Sequence, residues 1–170
     1  MREIFERRSV REFLPEAVGE EAVERLLRAA MQAPSAGNGQ PWEFVVIRDR
    51  EAMKAVKDFH PYAMALDTAP LAVLVCGNTK RQKFPIEGYW AQDCAACTEN
   101  LLLEAVHLGL GSVWMGVYPR PERVEGCRML FRLPEHILPL CIVAIGKPKA
   151  APESSDRFDP ERIHREIYGQ

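Results

Sequence analysis

Arg7-Arg8-Ser9-Val10-Arg11-Glu12-Phe13 sets three guanidinium groups and a hydroxyl within five positions of a chain whose formal net charge is only -2. A nucleic-acid binder spreads its cations along a face or a long run, whereas this cluster is compact. Guanidinium is planar, permanently charged and able to donate two parallel bonds to phosphate oxygens. Three such groups suit one small, doubly charged anion, such as the terminal phosphate of a nucleotide cofactor. The plainer alternative makes Arg7 and Arg8 ordinary cations at the end of a short helix over residues 2–8, where they favour the negative pole of its dipole.

The wider chain narrows the choice. Its 170 residues, 47% of them apolar and 27% charged, describe one ordinary globular domain spanning 1–170. The near-neutral balance argues against a nucleic-acid or membrane-surface role. No apolar run reaches membrane-spanning length and the N-terminus lacks an apolar signal core, so the expected location is cytoplasmic. The five cysteines form no secreted-scaffold pattern and read as reduced thiols in apolar segments.

Val23, Leu26, Leu27, Ala30 and Met31 mark one face of a helix over 19–31. Ala33 to Pro41 is a loop by its Gly, Pro, Ser and Asn content, and it runs into a strand, Trp42–Ile47. Asp49 is positioned to cap a helix over 50–58. Leu71–Cys76 reads as a fully buried strand. Ala91 to Leu110 is apolar almost all round, which predicts burial on most sides. One 170-residue layer hardly supplies that cover, so this helix is expected at the centre of a homodimer. Strands follow at Ser112–Val117 and Leu138–Ile145, with a helix from Pro121 to about Phe131 between them. Asp159-Pro160 predicts a last helix running to Ile167. Periodicity alone favours a parallel, doubly wound sheet, but no G-x-G-x-x-G turn accompanies it.

Four segments, in order, resemble the FMN-dependent nitroreductase family. They are the opening Arg7–Phe13 stretch; Ala33-Pro34-Ser35 with Asn38, Gln40, Pro41 and Trp42; Gly109 to Val117; and Gly146-Lys147-Pro148 with Arg157-Phe158. The resemblance covers nearly the whole chain and resembles most the short members that lack a helical insertion. It implies an α+β fold whose central, mostly antiparallel sheet is flanked by helices, in an intertwined homodimer with two shared FMN sites. On strand direction it displaces the parallel expectation.

Carried over residue by residue, the resemblance makes Arg7, Arg8 and Ser9 the phosphate and ribityl ligands, with Arg157 closing on the same phosphate. Arg11 corresponds to the cation at the pyrimidine edge of the flavin, where a charge about 4 Å away is worth roughly 4 kcal/mol at an effective dielectric of 20. Pro34, Ser35, Asn38 and, more loosely, Gln40 correspond to the loop that the neighbouring subunit lays against the ring. Met115 and Gly116 correspond to the backbone beside the N5 and O4 edge. Ala36 and Lys147 depart from the family, which often has a hydroxyl and an aromatic residue at those positions. The implied activity passes a hydride from NADH or NADPH through the flavin to a small acceptor, such as a nitroaromatic or a quinone, in alternating half-reactions. No protein nucleophile takes part. A second reading keeps the scaffold as a non-catalytic flavin- or nucleotide-binding protein.

Rival motifs are weaker. Cys94-Ala95-Ala96-Cys97 lies inside an apolar helix rather than at a helix start, where a thiol pKa falls. It also lacks the further ligands of a zinc site. The four histidines share no metal-ligand spacing. Ser35 has no G-x-S-x-G elbow.

Overall fold

In the computed structural model, which describes residues 2–151, 153 and 155–169, four strands form one antiparallel sheet. They are β1 (Trp42–Ile47), β2 (Leu71–Asn78), β3 (Gly111–Gly116) and β4 (Ile137–Gly146), in the order β1-β2-β4-β3. The helices are α1 (Arg2–Glu6), α2 (Glu20–Ala30), α3 (Arg50–Val56), α4 (Tyr89–His107) and α5 (Pro121–Leu130).

Strand alternation divides the core in two. Leu71, Val73 and Val75 of β2, with Val143 and Ile145 of β4, face α2 and α4. Ala72 and Leu74, with Ile142 and Ala144, face the layer that holds Met53 and Val56 of α3 and Cys127 of α5. Helices on both faces explain why β2 is a continuous apolar run. The same burial pattern arises in parallel sheets, which is why periodicity misjudged strand direction.

The helix ends follow local chemistry. Asp49 caps α3 by accepting from the Glu51 amide at 3.1 Å. Asp159 does the same for Glu161 at 3.1 Å, but only a 3-10 turn at Pro160–Arg162 forms there, not the expected helix to Ile167. Residues 160–169 are all exposed. A short helix with no packed face does not repay its nucleation.

Within one chain α4 buries Trp90, Cys94, Cys97, Leu101, Leu102 and Ala105, while Ala91, Ala95, Ala96, Leu103 and Val106 stay half-covered. All five cysteines are buried, and burial pushes Cys97 and Cys127 up to about 12. The C-x-x-C pair therefore packs, with Cys94 Sγ donating to the Cys76 carbonyl at 3.4 Å. No helix among the described residues is long and apolar enough to cross a membrane.

Candidate functional site

β3 is an edge strand, and the opening arginine stretch lies along it. Ser9 bridges Ser112 in parallel, and the Val10 amide donates to the Ser112 carbonyl at 2.9 Å. Further on, the Leu14 amide donates to the Lys147 carbonyl at 2.9 Å. Val10 and Phe13 are buried, while Arg8, Ser9 and Arg11 are left outside the core. This alternation delivers Arg11 to a cavity of about 350 Å³ that also holds Met115 and Gly116.

The arginines are engaged differently. Arg7 Nε lies 3.2 Å from the Glu99 carboxylate. The Arg8 guanidinium is a hub for carbonyl oxygens. It donates to Phe5 at 2.9 Å, Arg7 at 2.6 Å, Glu153 at 2.9 Å and Ser155 at 3.0 Å, and so ties the C-terminal segment to the N-terminal one. Arg11 makes one long bond, to the Ser9 carbonyl at 3.3 Å. Arg157 is exposed. Arg8 also lines a separate cavity of about 360 Å³ with Phe5, Val10, Gly111 and Pro148.

The Pro34–Gln40 loop sits elsewhere. Pro34 and Ser35 line a cavity of about 720 Å³ with Phe84, Ile86 and Tyr89, which shares no residue with the cavity around Arg11. The loop is held from within. Ser35 Oγ accepts from the Gln40 amide at 3.0 Å, Gln40 Nε2 donates to Asn38 Oδ1 at 3.2 Å, and the Ala36 amide donates to buried Asp93 at 2.9 Å. Asn38 and Gln40 both adopt left-handed backbone conformations, with φ of 58° and 48°. Such strain at non-glycine residues collects at functional loops.

Sequence reasoning missed His60, Tyr62 and Arg123, which share the cavity of Arg11 and Met115. The Gly116 carbonyl accepts from His60 Nε2 at 2.9 Å and from Arg123 at 2.8 Å, so its orientation is fixed twice. The Arg123 guanidinium lies 5.5 Å from the centre of the Tyr62 ring. His60 Nδ1 and Arg123 Nε are buried without partners among the described residues. One signal was available, since Arg123 is a cation in the first turn of α5, at the positive pole of the helix dipole. The remaining histidines join no such cluster, and no group of three potential metal ligands occurs among the described residues.

Burial, and then the charge of Arg123, holds the His60 imidazole below its ordinary value of 6.5. The unfolded chain therefore takes up this proton first as the pH falls, which favours unfolding below about 6.5. Stability is expected to drop from pH 7.5 to pH 5.5 more in the wild type than in His60→Gln, which keeps a donor toward Gly116. Thermal melts of both proteins at the two pH values check this; parallel losses would contradict it.

An antiparallel sheet between two helical layers, with a guanidinium-rich segment on its edge strand, is not the parallel, doubly wound frame of a dinucleotide fold. Residues 4–147 match the Nitroreductase family, and the chain belongs to it. An Archaeoglobus fulgidus protein provisionally named NADH dehydrogenase/NAD(P)H nitroreductase is 46% identical over 168 residues, covering 97% of this chain and 96% of that one. A Clostridium acetobutylicum crystal structure, provisionally named an NADH oxidase, is 47% identical with a TM-score of 0.92, covering 98% and 99% of the two chains. A provisionally named nitroreductase from Desulfovibrio desulfuricans, solved in complex with FMN, is 30% identical with a TM-score of 0.84, covering 98% of this chain and 96% of that one.

Proposed function

We propose that this chain binds FMN along the edge of β3 and acts as an NAD(P)H-dependent oxidoreductase on small acceptors such as nitroaromatics or quinones. The observation that carries this reading is the pairing of Ser9 with Ser112. It runs the arginine stretch along this edge, with Arg11 in one cavity with Met115 and Gly116.

The residues present fit the cofactor. Arg8 already gathers four oxygen acceptors, and carbonyl oxygens are the same kind of partner as phosphate oxygens without the charge. Exchanging the Glu153 and Ser155 carbonyls for phosphate oxygens keeps the donors satisfied. Arg7, Ser9 and Arg157 complete the phosphate and ribityl set in this proposal, and Arg11 takes the pyrimidine edge. Beside Gly116 the strand opens on free space, since a Cβ there would meet no atom within 4 Å. Bound FMN supplies the redox chemistry, accepting a hydride from NADH or NADPH and passing electrons to the acceptor.

The protein positions these groups and supplies charge. His60 and Arg123 fix the Gly116 peptide, which borders the N5 and O4 edge in this reading. Pro34 and Ser35, from the loop that also holds Asn38 and Gln40, line a different cavity from Arg11 and Met115, so a second copy of the chain must bring that loop to the ring. The half-covered apolar side of α4 supplies a surface for the homodimer. NAD(P)H and the acceptor then take turns over one ring face, with no side chain acting as nucleophile. Initial rates measured with both substrates varied are expected to give parallel double-reciprocal lines; intersecting lines would contradict alternation.

A further inference from the structure

Arg11 and Arg123 line one cavity, and none of the other residues around it (among them His60, Tyr62, Met64 and Trp114) is acidic. Neither arginine has a carboxylate within 4 Å among the described residues. Arg123 is half-buried, carries an unpartnered Nε, and stands in the first turn of α5, where the helix dipole repels a cation. Its guanidinium also lies close to His60, a buried ring that it disfavours protonating. The helix start thus raises the cost of this charge, which the Gly116 carbonyl and the Tyr62 ring offset in part. Local conflicts of this kind concentrate where a ligand resolves them.

We propose that Arg123 is an anion-recognition residue, and that the acceptors this protein binds best carry a carboxylate or similar planar oxyanion. The inference rests on the reading of this cavity as the acceptor side of a flavin oxidoreductase. One Arg123 N–H holds the Gly116 carbonyl, leaving the rest of the fork for a carboxylate. Tyr62 and Met64, both largely exposed, offer an apolar wall for the planar body of such a molecule. Arg11 adds a second positive charge at the same opening.

The test compares 4-nitrobenzoate with 4-nitrobenzamide, which are alike in shape and differ in charge. Calorimetric titration of the oxidised protein as purified, with and without added FMN, reads binding without turnover. The wild type is expected to bind the carboxylate at least about tenfold more tightly than the amide, from one charge-assisted hydrogen-bonded pair. Arg123→Gln removes that preference, and Arg123→Lys, which keeps the charge but not the fork, retains part of it. Equal affinities in the wild type, or a preference that survives in Arg123→Gln, would overturn the proposal. Anaerobic mixing with NADH or NADPH separates the two readings. A protein that bleaches but shows no anion preference loses this subsite alone. One that prefers the anion but never bleaches keeps the subsite and loses the oxidoreductase reading.

Discussion

Replacing Arg7 and Arg8 together by alanine is expected to weaken FMN binding by about two to four orders of magnitude. Each hydrogen bond to a charged group contributes roughly 1.5–3 kcal/mol, and about 1.4 kcal/mol is tenfold in affinity. Little of the loss should come from the fold. The Arg7–Glu99 pair leaves the carboxylate half-exposed, and exposed pairs contribute little. The Arg8 carbonyl bonds tie down a terminal segment rather than the core. Titrating the apoprotein with FMN and with riboflavin separates the causes, because riboflavin lacks the phosphate. FMN affinity should fall steeply while riboflavin affinity changes little. Equal losses for the two ligands would mean that the arginines shape the chain instead of gripping phosphate.

The largest loss of stability is expected from Trp90→Ala. Trp90 opens α4, is 4% exposed, and lies across β2 where Gly77 leaves room for it. A Cβ on Gly77 would stand 2.4 Å from Trp90 Cε3. The ring also meets Tyr118 edge-on, with centroids 4.9 Å apart and planes at 72°. Removing a buried tryptophan costs about 3–5 kcal/mol, and the edge-on pair adds up to about 1 kcal/mol. For a chain of this length that lowers Tm by roughly 6–24 °C. Gly77→Val overpacks the wild type but has a vacated space to fill in Trp90→Ala, so the two changes should not add. Additivity within about 0.5 kcal/mol in the double variant would contradict the contact.

Much of this architecture was legible from residues alone. Trp42–Ile47 as a strand, the Asp49 cap and the buried thiols of α4 all follow from local pattern, because composition and spacing mark each of them even where, as for the strand and the thiols, the partners lie far along the chain. Strand direction was not legible from periodicity. Leu71–Cys76 is buried on both faces by helices far along the chain, and an apolar run does not record which way its neighbour points. The helix expected to Ile167 failed for a similar reason, since a cap and a proline at the first position do not supply a packed face.

At the site, the arginine cluster and the Met115-Gly116 segment were visible as motifs, and their meeting on the edge of β3 was not. His60, Tyr62 and Arg123 carry no motif at all. They come together through the Gly116 carbonyl, from a loop and a helix start that lie some sixty residues apart in sequence. Only the misplaced charge of Arg123 at the positive end of α5 hinted at a role beyond packing.

The most direct measurement is the visible spectrum of the purified protein, recorded anaerobically before and after addition of NADH and of NADPH. The expected result is a yellow protein with a flavin band that bleaches rapidly with at least one nicotinamide and returns when an acceptor is added. A colourless protein that takes up no FMN, or a yellow one that neither nicotinamide bleaches, would contradict the account.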